Sequence, residues 1–339
     1  MRRELTRRAP THVIAHWALP SGIACLAGSW NLELVSHGAD VRLLSRLPPL
    51  LRNELARAFA REALVVAVER DEAGAEQLWK AIQELEPYRP TFVSVTYGAG
   101  GTTRDTTVDI TGRIARDTSL RAMGHLTCVG HTRVELVDVL RAYAKAGVRN
   151  ILALRGDPKE GPRAAWTPTP GGLTYARELV ELAHEVGDFS VGVAAFPEGH
   201  PSAASLDHDA RVLADKAAAG AEFAVTQLFF RAEDYVGLVE RVRALGVDIP
   251  ILPGIMPITN LRSITRMAEL SGARIPDEVM ARFDGLSEPA AVRHVGVAIA
   301  TELCRQVLDA GAPGLHFFTL NRSRATLEIF EALDLHRGG

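Results

Sequence analysis

The chain has 339 residues, of which 47% are hydrophobic and 23% are charged. These proportions are typical of a globular protein with a sizeable buried core, and they exclude a collagen-like, coiled-coil or largely disordered chain. A formal net charge of −3 argues against a nucleic-acid partner. Three widely spaced cysteines argue against a disulfide framework or a metal site. The chain has no run of roughly 18 apolar residues, which argues against a membrane span.

Residues 1–62 differ from the rest because they lack a regular alternation of strand and helix patterns. An arginine-rich start, MRRELTRRAP, precedes the moderately apolar segment VIAHWALPSGIACLAGSW. That order is typical of an export signal, but His16 and Pro20 interrupt the apolar run. We expect an irregular N-terminal extension that is poorly ordered or loosely helical. A misplaced start codon or an upstream frame error stays open as its origin.

From Ala63 onward, short β-rich runs alternate with amphipathic helical stretches of about a dozen residues. Several of the β-rich runs are nearly continuous in apolar residues, as are strands covered by helices on both faces. The predicted strands are ALVVAVE (63–69), TFVSVTY (91–97), RAMGHLTC (121–128), NILALRG (150–156), SVGVAAF (190–196), FAVTQLFF (223–230), PILPGI (250–255) and GLHFFTL (314–320).

This alternation predicts βα units on a parallel sheet. Eight strands within about 260 residues match a closed (β/α)8 TIM barrel over residues 63–339 better than an open sheet. An open dinucleotide-binding sheet would need G-x-G-x-x-G after its first strand. The segment GAGGTT (98–103) lacks the third glycine at that spacing.

Polar residues stand at or near the ends of most predicted strands. Such residues are costly within apolar strands unless a partner satisfies them, and the βα loops of a barrel build its active-site face. We therefore expect a shared mouth that binds a polar ligand. The residues are Glu69, Thr96, Tyr97, His125, Thr127, Arg155, Gly156, Asp157, Gln227, Thr319 and Asn321.

Motifs in the barrel region carry a family resemblance, in order and with few gaps from about Gly74 to the C-terminus. They are PTFVSVTYGAGGTTRDTT (90–107), HLTCVGHTRVEL (125–136), AGVRNILALRGDP (146–158), AAFPEGHP (194–201), AGAEFAVTQLFF (219–230), ILPGIMPI (251–258), RIPDEVMARFDG (274–285) and HFFTLNR (316–322). Together they resemble methylenetetrahydrofolate reductases of the bacterial type. Members of that family are flavin-containing (β/α)8 barrels, which agrees with the strand count.

The resemblance implies reduction of 5,10-methylenetetrahydrofolate to 5-methyltetrahydrofolate, with hydride passing from NADH or NADPH through FAD in a ping-pong reaction. It also implies an enzyme of one-carbon metabolism and methionine biosynthesis that forms homo-oligomers. Sparse cysteines favour the reducing cytoplasm. Ser263 and Met267 occupy positions where some members have a glutamine and a phenylalanine that contact nicotinamide or folate. The choice between NADH and NADPH therefore stays open.

The resemblance also assigns roles to individual residues. Asp157 matches a carboxylate beside the flavin ring, Gln227 a pterin-contacting amide and Arg322 a substrate-binding arginine. Among the cofactor residues, Arg155 and Lys216 can offset the charge of a diphosphate. The FAD-binding residues implied are Thr96, His125, Leu154, Arg155, Gly156, Asp157, Tyr175, Ala176, Phe196, His200, Ala203, Asp209 and Lys216.

Several of these residues also have an ordinary structural explanation. A lone histidine such as His125 is commonly a core residue bonded to a backbone carbonyl. Asp157 could cap the following helix. Asp209 and Lys216 lie on a predicted helix, where charged side chains are usually solvated. For these four residues the binding roles come from the resemblance.

The first predicted strand departs from the family pattern. Other members have Ser-Phe-Glu-Phe-Phe-Pro-Pro-Lys there, and its glutamate is the general acid that protonates the bridging nitrogen and opens the folate ring. An ungapped alignment through Trp79 places Val65 opposite that glutamate, and valine transfers no proton. A four-residue deletion places Glu69 there instead, at the mouth of the strand. We interpret Glu69 as the substitute acid.

Three alternatives to Glu69 stay open: loss of the acid, a different acid, or a corrupted N-terminal reading frame. The sequence is thus compatible with two functional classes. One is a working reductase with bound FAD. The other is a catalytically impaired or partner-dependent flavin-binding barrel that lacks proton delivery.

Overall fold

The computed structural model describes residues 12–15, 31–34, 63–67, 72–96, 104–158, 161 and 164–335. The chain divides into two compact units, Met1–Leu55 and Ala56–Gly339. In the first unit, strands His12–Ala15 (β1) and Asn31–Leu34 (β2) pair in parallel. The predicted extension therefore contains two short strands, and the rest of residues 1–62 lies outside the described residues.

Eight parallel strands close a barrel in the second unit, in the order β10-β3-β4-β5-β6-β7-β8-β9. Each predicted strand contains one of them, so the predicted (β/α)8 fold is confirmed. The strands are Ala63–Ala67 (β3), Val93–Val95 (β4), Ala122–Thr127 (β5), Asn150–Leu154 (β6), Ser190–Ala195 (β7), Phe223–Leu228 (β8), Ile251–Ile255 (β9) and Leu315–Phe317 (β10).

Helices alternate with these strands along the chain. They are Glu72–Leu85 (α1), Arg104–Asp117 (α2), Arg133–Lys145 (α3), Ala176–Val186 (α4), Leu206–Ala218 (α5), Ala232–Ala244 (α6), Leu261–Ser271 (α7), Asp277–Ala281 (α8), Pro289–Asp309 (α9) and Ser323–Ala332 (α10). In the described part of the chain, no helix combines the length and the apolar character needed to cross a bilayer.

Helix α3 shows how local sequence sets the boundaries of these elements. Thr132 and Glu135 form a capping box at its start, in which each side chain binds the backbone N–H of the other residue. Its end is followed by Gly147, which has a φ of 86° that glycine adopts without strain. The helix therefore ends before Gly147, and the chain turns from there into β6.

Alternate residues of the strands pack on opposite sides of the barrel wall. On β6, Ile151 and Ala153 pack against the surrounding helices. Leu152, between them, packs inside the barrel with Phe92, Met123 and Val225, whose side chains are buried. This interior cluster fills the barrel and leaves the carboxyl ends of the strands for polar side chains.

Leu152→Ala should lower the free energy of unfolding by about 2–5 kcal/mol, because it removes a side chain from this closely packed cluster. Leu152 is 5% exposed, whereas Leu245, after α6, is 45% exposed. The matched control Leu245→Ala should change stability by no more than about 0.5 kcal/mol. Urea unfolding followed by circular dichroism measures both. Equal effects of the two substitutions would show that the interior cluster is not closely packed.

Candidate active site

A cavity of about 570 Å³ opens where β6, β7 and β8 end. Strand residues Leu154, Ala194 and Gln227 line it, together with the loops that follow β6 and β7 and one face of α5. Its volume lies in the range of cofactor and ligand sites, roughly 300–1,000 Å³. Its place at the carboxyl ends of the strands is the active-site face of a (β/α)8 barrel.

The cavity brings together most of the residues that sequence comparison singled out. Gln227 and all predicted FAD-binding residues except Thr96 and His125 line it. Those residues are Leu154, Arg155, Gly156, Asp157, Tyr175, Ala176, Phe196, His200, Ala203, Asp209 and Lys216. Their roles stay predictions, but the structure gathers them at one place.

Three described site residues lie outside the cavity lining. Thr96 follows β4 and is half-buried, and Arg322 is exposed at the start of α10. His125 is buried within β5. Glu69 lies outside the described residues, two positions beyond the end of β3.

Arg155 is a positively charged residue in the cavity wall. Its Nε donates to the Gly156 carbonyl at 3.2 Å, and its Nη2 lies 3.8 Å from Oδ1 of Asp157. The Asp157 side chain is 57% exposed, so solvent weakens this ion pair. The same Nη2 lies 3.4 Å from Nε2 of His200.

His200 presents a second hydrogen-bond donor beside Arg155. Burial, and next the charge of Arg155, lower the pKa of His200, so its ring is neutral at physiological pH. Its Nδ1 accepts from the Ser202 N–H at 3.0 Å, which leaves the ring proton on Nε2. Two donors thus lie side by side, and an anionic oxygen is the group that satisfies both.

Lys216 and Asp209 belong to the cavity wall rather than to an open surface. Together with Val212 they have the i, i+3, i+7 spacing that places side chains on one face of α5. Lys216 Nζ donates to the Ala194 carbonyl at 2.9 Å, and a carboxylate oxygen of Asp209 accepts from the His200 N–H at 3.1 Å. The interpretation of these two residues as solvated helix charges is therefore wrong.

Desolvation perturbs both groups. Burial lowers the pKa of Lys216 to about 8, although the nearby Asp209 opposes this. Burial likewise raises the pKa of Asp209 above its usual range. Such shifts are common where a protein prepares charged groups for a ligand, although structural ion pairs also produce them.

His125 is held deep in the barrel by its neighbours. The Tyr143 hydroxyl donates to the His125 carbonyl at 3.1 Å. Gly124 permits this contact, because a Cβ there would lie 2.5 Å from the Tyr143 ring. Burial lowers the pKa of His125 to about 3, and its Nε2 has no hydrogen-bond partner among the described residues. Among the described residues, Nε2 therefore bonds no backbone carbonyl, and the role of His125 in FAD binding stays a prediction.

Asp157 caps none of the described helices. The next described helix, α4, begins at Ala176 with Tyr175 at its N-cap, far along the chain from Asp157. Asp157 instead lies at the rim of the cavity. This removes the ordinary structural explanation for the carboxylate and leaves it available to a ligand.

Sequence reasoning missed Trp166, which lines the cavity and lies over Arg155. The search concentrated on strand ends, whereas Trp166 lies within the connection between β6 and α4. That connection is much longer than the two to six residues usual for a βα loop, and long loops are commonly functional. Its length was the available signal.

A closed parallel barrel with a cavity lined by charged side chains at its carboxyl ends is the arrangement found in enzymes of the (β/α)8 class. The family model for methylenetetrahydrofolate reductase matches residues 58–334. The 5,10-methylenetetrahydrofolate reductase of Pectobacterium carotovorum subsp. carotovorum is 40% identical over 260 residues, which are 76% of this chain and 85% of that protein. The enzyme of the same name from Escherichia coli K12 is 39% identical over 264 residues, 78% and 87% of the two chains.

The chain belongs to the methylenetetrahydrofolate reductase family. It is thus an oxidoreductase of folate one-carbon metabolism, and its family relationship supports reduction of methylenetetrahydrofolate. A solved structure of a Clostridium thermocellum protein, described as binding two copies of 5-methyl-5,6,7,8-tetrahydrofolic acid, covers 83% of this chain and 98% of its own. Its TM-score is 0.58 at 12% identity, a likeness of fold.

The pKa of Lys216 gives a pH-dependent stability. In the FAD-free protein, the folded state releases the Lys216 proton near pH 8, whereas the unfolded chain keeps it to the ordinary value of 10.5. The unfolded state therefore binds more protons at this site in this window, and the contribution of Lys216 to stability should rise with pH by up to about 1 kcal/mol per pH unit. Urea unfolding between these pH values should show the free energy of unfolding of the wild type rising relative to that of Lys216→Met, since other titrating groups such as the buried thiols of Cys128 and Cys304 contribute equally to both proteins. An identical pH dependence in both proteins would contradict the burial of this ammonium.

Proposed function

We propose that this protein reduces 5,10-methylenetetrahydrofolate to 5-methyltetrahydrofolate with electrons from NADH or NADPH that pass through bound FAD in a ping-pong reaction. Family membership supports the folate substrate. One observation supports FAD as the cofactor: nearly all residues that the family resemblance assigns to FAD binding line one cavity.

The chemistry of the cavity wall fits the diphosphate of a dinucleotide. Arg155 and His200 present adjacent donors, and Lys216 adds a second cation on the same cavity. Asp209 nearby can accept from hydroxyl groups. The lining also offers apolar surface from Val212, Leu270 and the exposed ring of Tyr175. A ligand with an anionic centre and flat or apolar ends therefore suits it.

In this proposal, bound FAD would supply hydride transfer between the nicotinamide and the folate. Arg155, His200 and Lys216 would hold its diphosphate. The carboxylate of Asp157 and the amide of Gln227 bind the polar edge of the pterin, and both line the same cavity. Arg322, exposed at the start of α10, binds an anionic group of the folate.

Proton delivery is assigned to Glu69. It follows β3, which lies between β10 and β4 in the closed sheet. A carboxylic acid at that strand's mouth can hold a proton for the bridging nitrogen of the folate ring, whose protonation opens the five-membered ring. Glu69 would thus protonate the bridging nitrogen in place of the glutamate that other family members have in the first strand.

The proposal includes a cytoplasmic homo-oligomer that serves methionine biosynthesis. The family resemblance of the sequence supports the homo-oligomer and the metabolic role, and the sparse cysteines support the cytoplasm. The small-molecule partners are the folate and the nicotinamide dinucleotide, and either NADH or NADPH is compatible with the residues present.

Lys216→Met should weaken FAD binding to the apo-protein by about 10- to 100-fold, because it removes a charged donor from the diphosphate site. Arg211→Met is the matched control, since Arg211 is an exposed cation on the same helix. It should leave the dissociation constant unchanged. Fluorescence titration of FAD measures both variants. Equal affinities in Lys216→Met and the wild type would place the diphosphate elsewhere.

Glu69→Gln should lower the folate half-reaction by about 10²- to 10⁴-fold, the usual contribution of a general acid. The nicotinamide half-reaction should not change, since it needs no proton on the folate. Glu76→Gln, an exposed carboxylate on α1, is the control. Anaerobic stopped-flow absorbance follows each half-reaction separately.

The same assays separate the two functional classes. Full folate turnover by Glu69→Gln would assign proton delivery to another group. A wild-type protein whose FAD is reduced by nicotinamide but never reoxidised by methylenetetrahydrofolate would instead support the impaired flavin-binding barrel.

A further inference from the structure

The segment 166–172, WTPTPGG, forms part of the connection between β6 and α4, and we call it the strap. Its last residues are fixed to the loop before α3 and to the first residue of that helix. The Thr169 hydroxyl oxygen accepts from the Gly130 N–H at 3.0 Å, and the Gly171 carbonyl accepts from the Arg133 N–H at 2.8 Å. The strap is therefore attached to a neighbouring element of the barrel.

Its internal geometry is also restricted. The Gly172 N–H donates to the Thr169 carbonyl at 2.8 Å, which closes a turn. A Cβ at Gly172 would lie 2.3 Å from the His131 carbonyl oxygen, so only glycine fits this close approach. Pro168 and Pro170 fix two φ angles. The strap is thus a stiff support rather than a loose loop.

Trp166 is the residue that the strap carries to the cavity. The guanidinium carbon of Arg155 lies 4.9 Å from the centre of its ring, within cation–π range. Both side chains line the cavity. The Trp166 indole N–H is buried and has no hydrogen-bond partner among the described residues. Among the described residues, no hydrogen bond of the indole N–H therefore holds the Trp166 ring in place. Its contact with the guanidinium of Arg155 is the polar interaction that the ring makes.

Arg155 needs such a restraint. Its other contacts are one bond to the Gly156 carbonyl, a 3.8 Å approach to the exposed Asp157 and the neutral ring of His200. An arginine so held loses side-chain entropy when it binds an anion. An aromatic face restrains the guanidinium from one side and leaves its in-plane N–H donors free.

We propose that Trp166 is a positioning residue that preorganises Arg155 for the diphosphate of a dinucleotide cofactor. This inference rests on the proposed function, because it assigns the diphosphate of FAD to Arg155. It makes a distinct claim, namely that the strap contributes to affinity for the diphosphate part and not for the isoalloxazine ring. FAD and riboflavin, which lacks the diphosphate, are therefore the probes that test it.

Trp166→Leu should weaken FAD binding to the apo-protein by about 3- to 30-fold, the range of a partly desolvated cation–π contact. Its affinity for riboflavin should not change. Trp166→Phe keeps an aromatic face and should stay within about threefold of the wild type for FAD. Trp79→Leu is the matched control, because Trp79 stacks on Arg113 with a separation of 4.3 Å and lies outside the cavity lining. It should change neither affinity.

A double-mutant cycle tests whether Trp166 acts through Arg155. In an Arg155→Met background, Trp166→Leu should cause less than about a twofold further loss of FAD affinity. If Trp166→Leu lowers FAD affinity as much in that background as in the wild type, or lowers riboflavin and FAD affinity equally, Trp166 only lines the cavity and does not act through Arg155. Either result would overturn the inference. Trp166→Met replaces Trp166→Leu throughout if the leucine variant does not fold, as judged by circular dichroism.

The outcomes separate this inference from the proposed function. A wild-type protein that binds no FAD contradicts the proposed function itself. A wild type that binds FAD, together with a Trp166→Leu variant of the same FAD affinity, contradicts the role of Trp166 alone.

Discussion

Closure of the parallel sheet is the constraint on which the rest of the structure depends. The hydrogen-bonded pairing of β10 with both β9 and β3 joins the first and last strands of the barrel. Since all eight strands run in the same direction, closure brings their carboxyl ends to one rim. On that rim β6, β7 and β8 are direct neighbours, so Leu154, Ala194 and Gln227 line one cavity.

Desolvation then gives that cavity its chemical character. Arg155 and Lys216 are cations removed in part from water, and burial lowers the pKa of Lys216 and of His200. Two carboxylates lie near them: Asp157, whose side chain is exposed, and Asp209, whose charge partly opposes the lowering of the Lys216 pKa. Holding cations and neutral donors in this arrangement costs stability in the empty protein. A bound anion would stabilise these cations and donors, and a diphosphate is an anion of this kind.

Much of the fold could be predicted from sequence, since strands covered on both faces appear as continuous apolar runs such as NILALRG and SVGVAAF. The placement of polar residues at strand ends predicted a common mouth. Arg155, Gly156 and Asp157 followed directly from that rule. Strand lengths were less accurate, because Val93–Val95 and Leu315–Phe317 are shorter than the apolar runs that contain them.

The rest of the site depends on tertiary packing that the sequence does not display. Nothing in α5 distinguishes Lys216, which lines the cavity, from the exposed Arg211, so Lys216 was found only through the family resemblance. Trp166 was missed because its position depends on the turn at Gly172 and on hydrogen bonds to the start of α3. At the first predicted strand the sequence departs from the family pattern, so the resemblance does not identify the general acid there. Glu69 is proposed for that role from a gapped alignment alone.

In the proposed function, the cavity beside Arg155 holds the diphosphate of a flavin dinucleotide. A crystal structure of the protein with FAD tests it most directly. The account predicts diphosphate oxygens within hydrogen-bond distance of Arg155 Nη2, His200 Nε2 and Lys216 Nζ, with the flavin ring extending toward Asp157 and Gln227. FAD bound at another place, or a diphosphate that avoids these three donors, would contradict it.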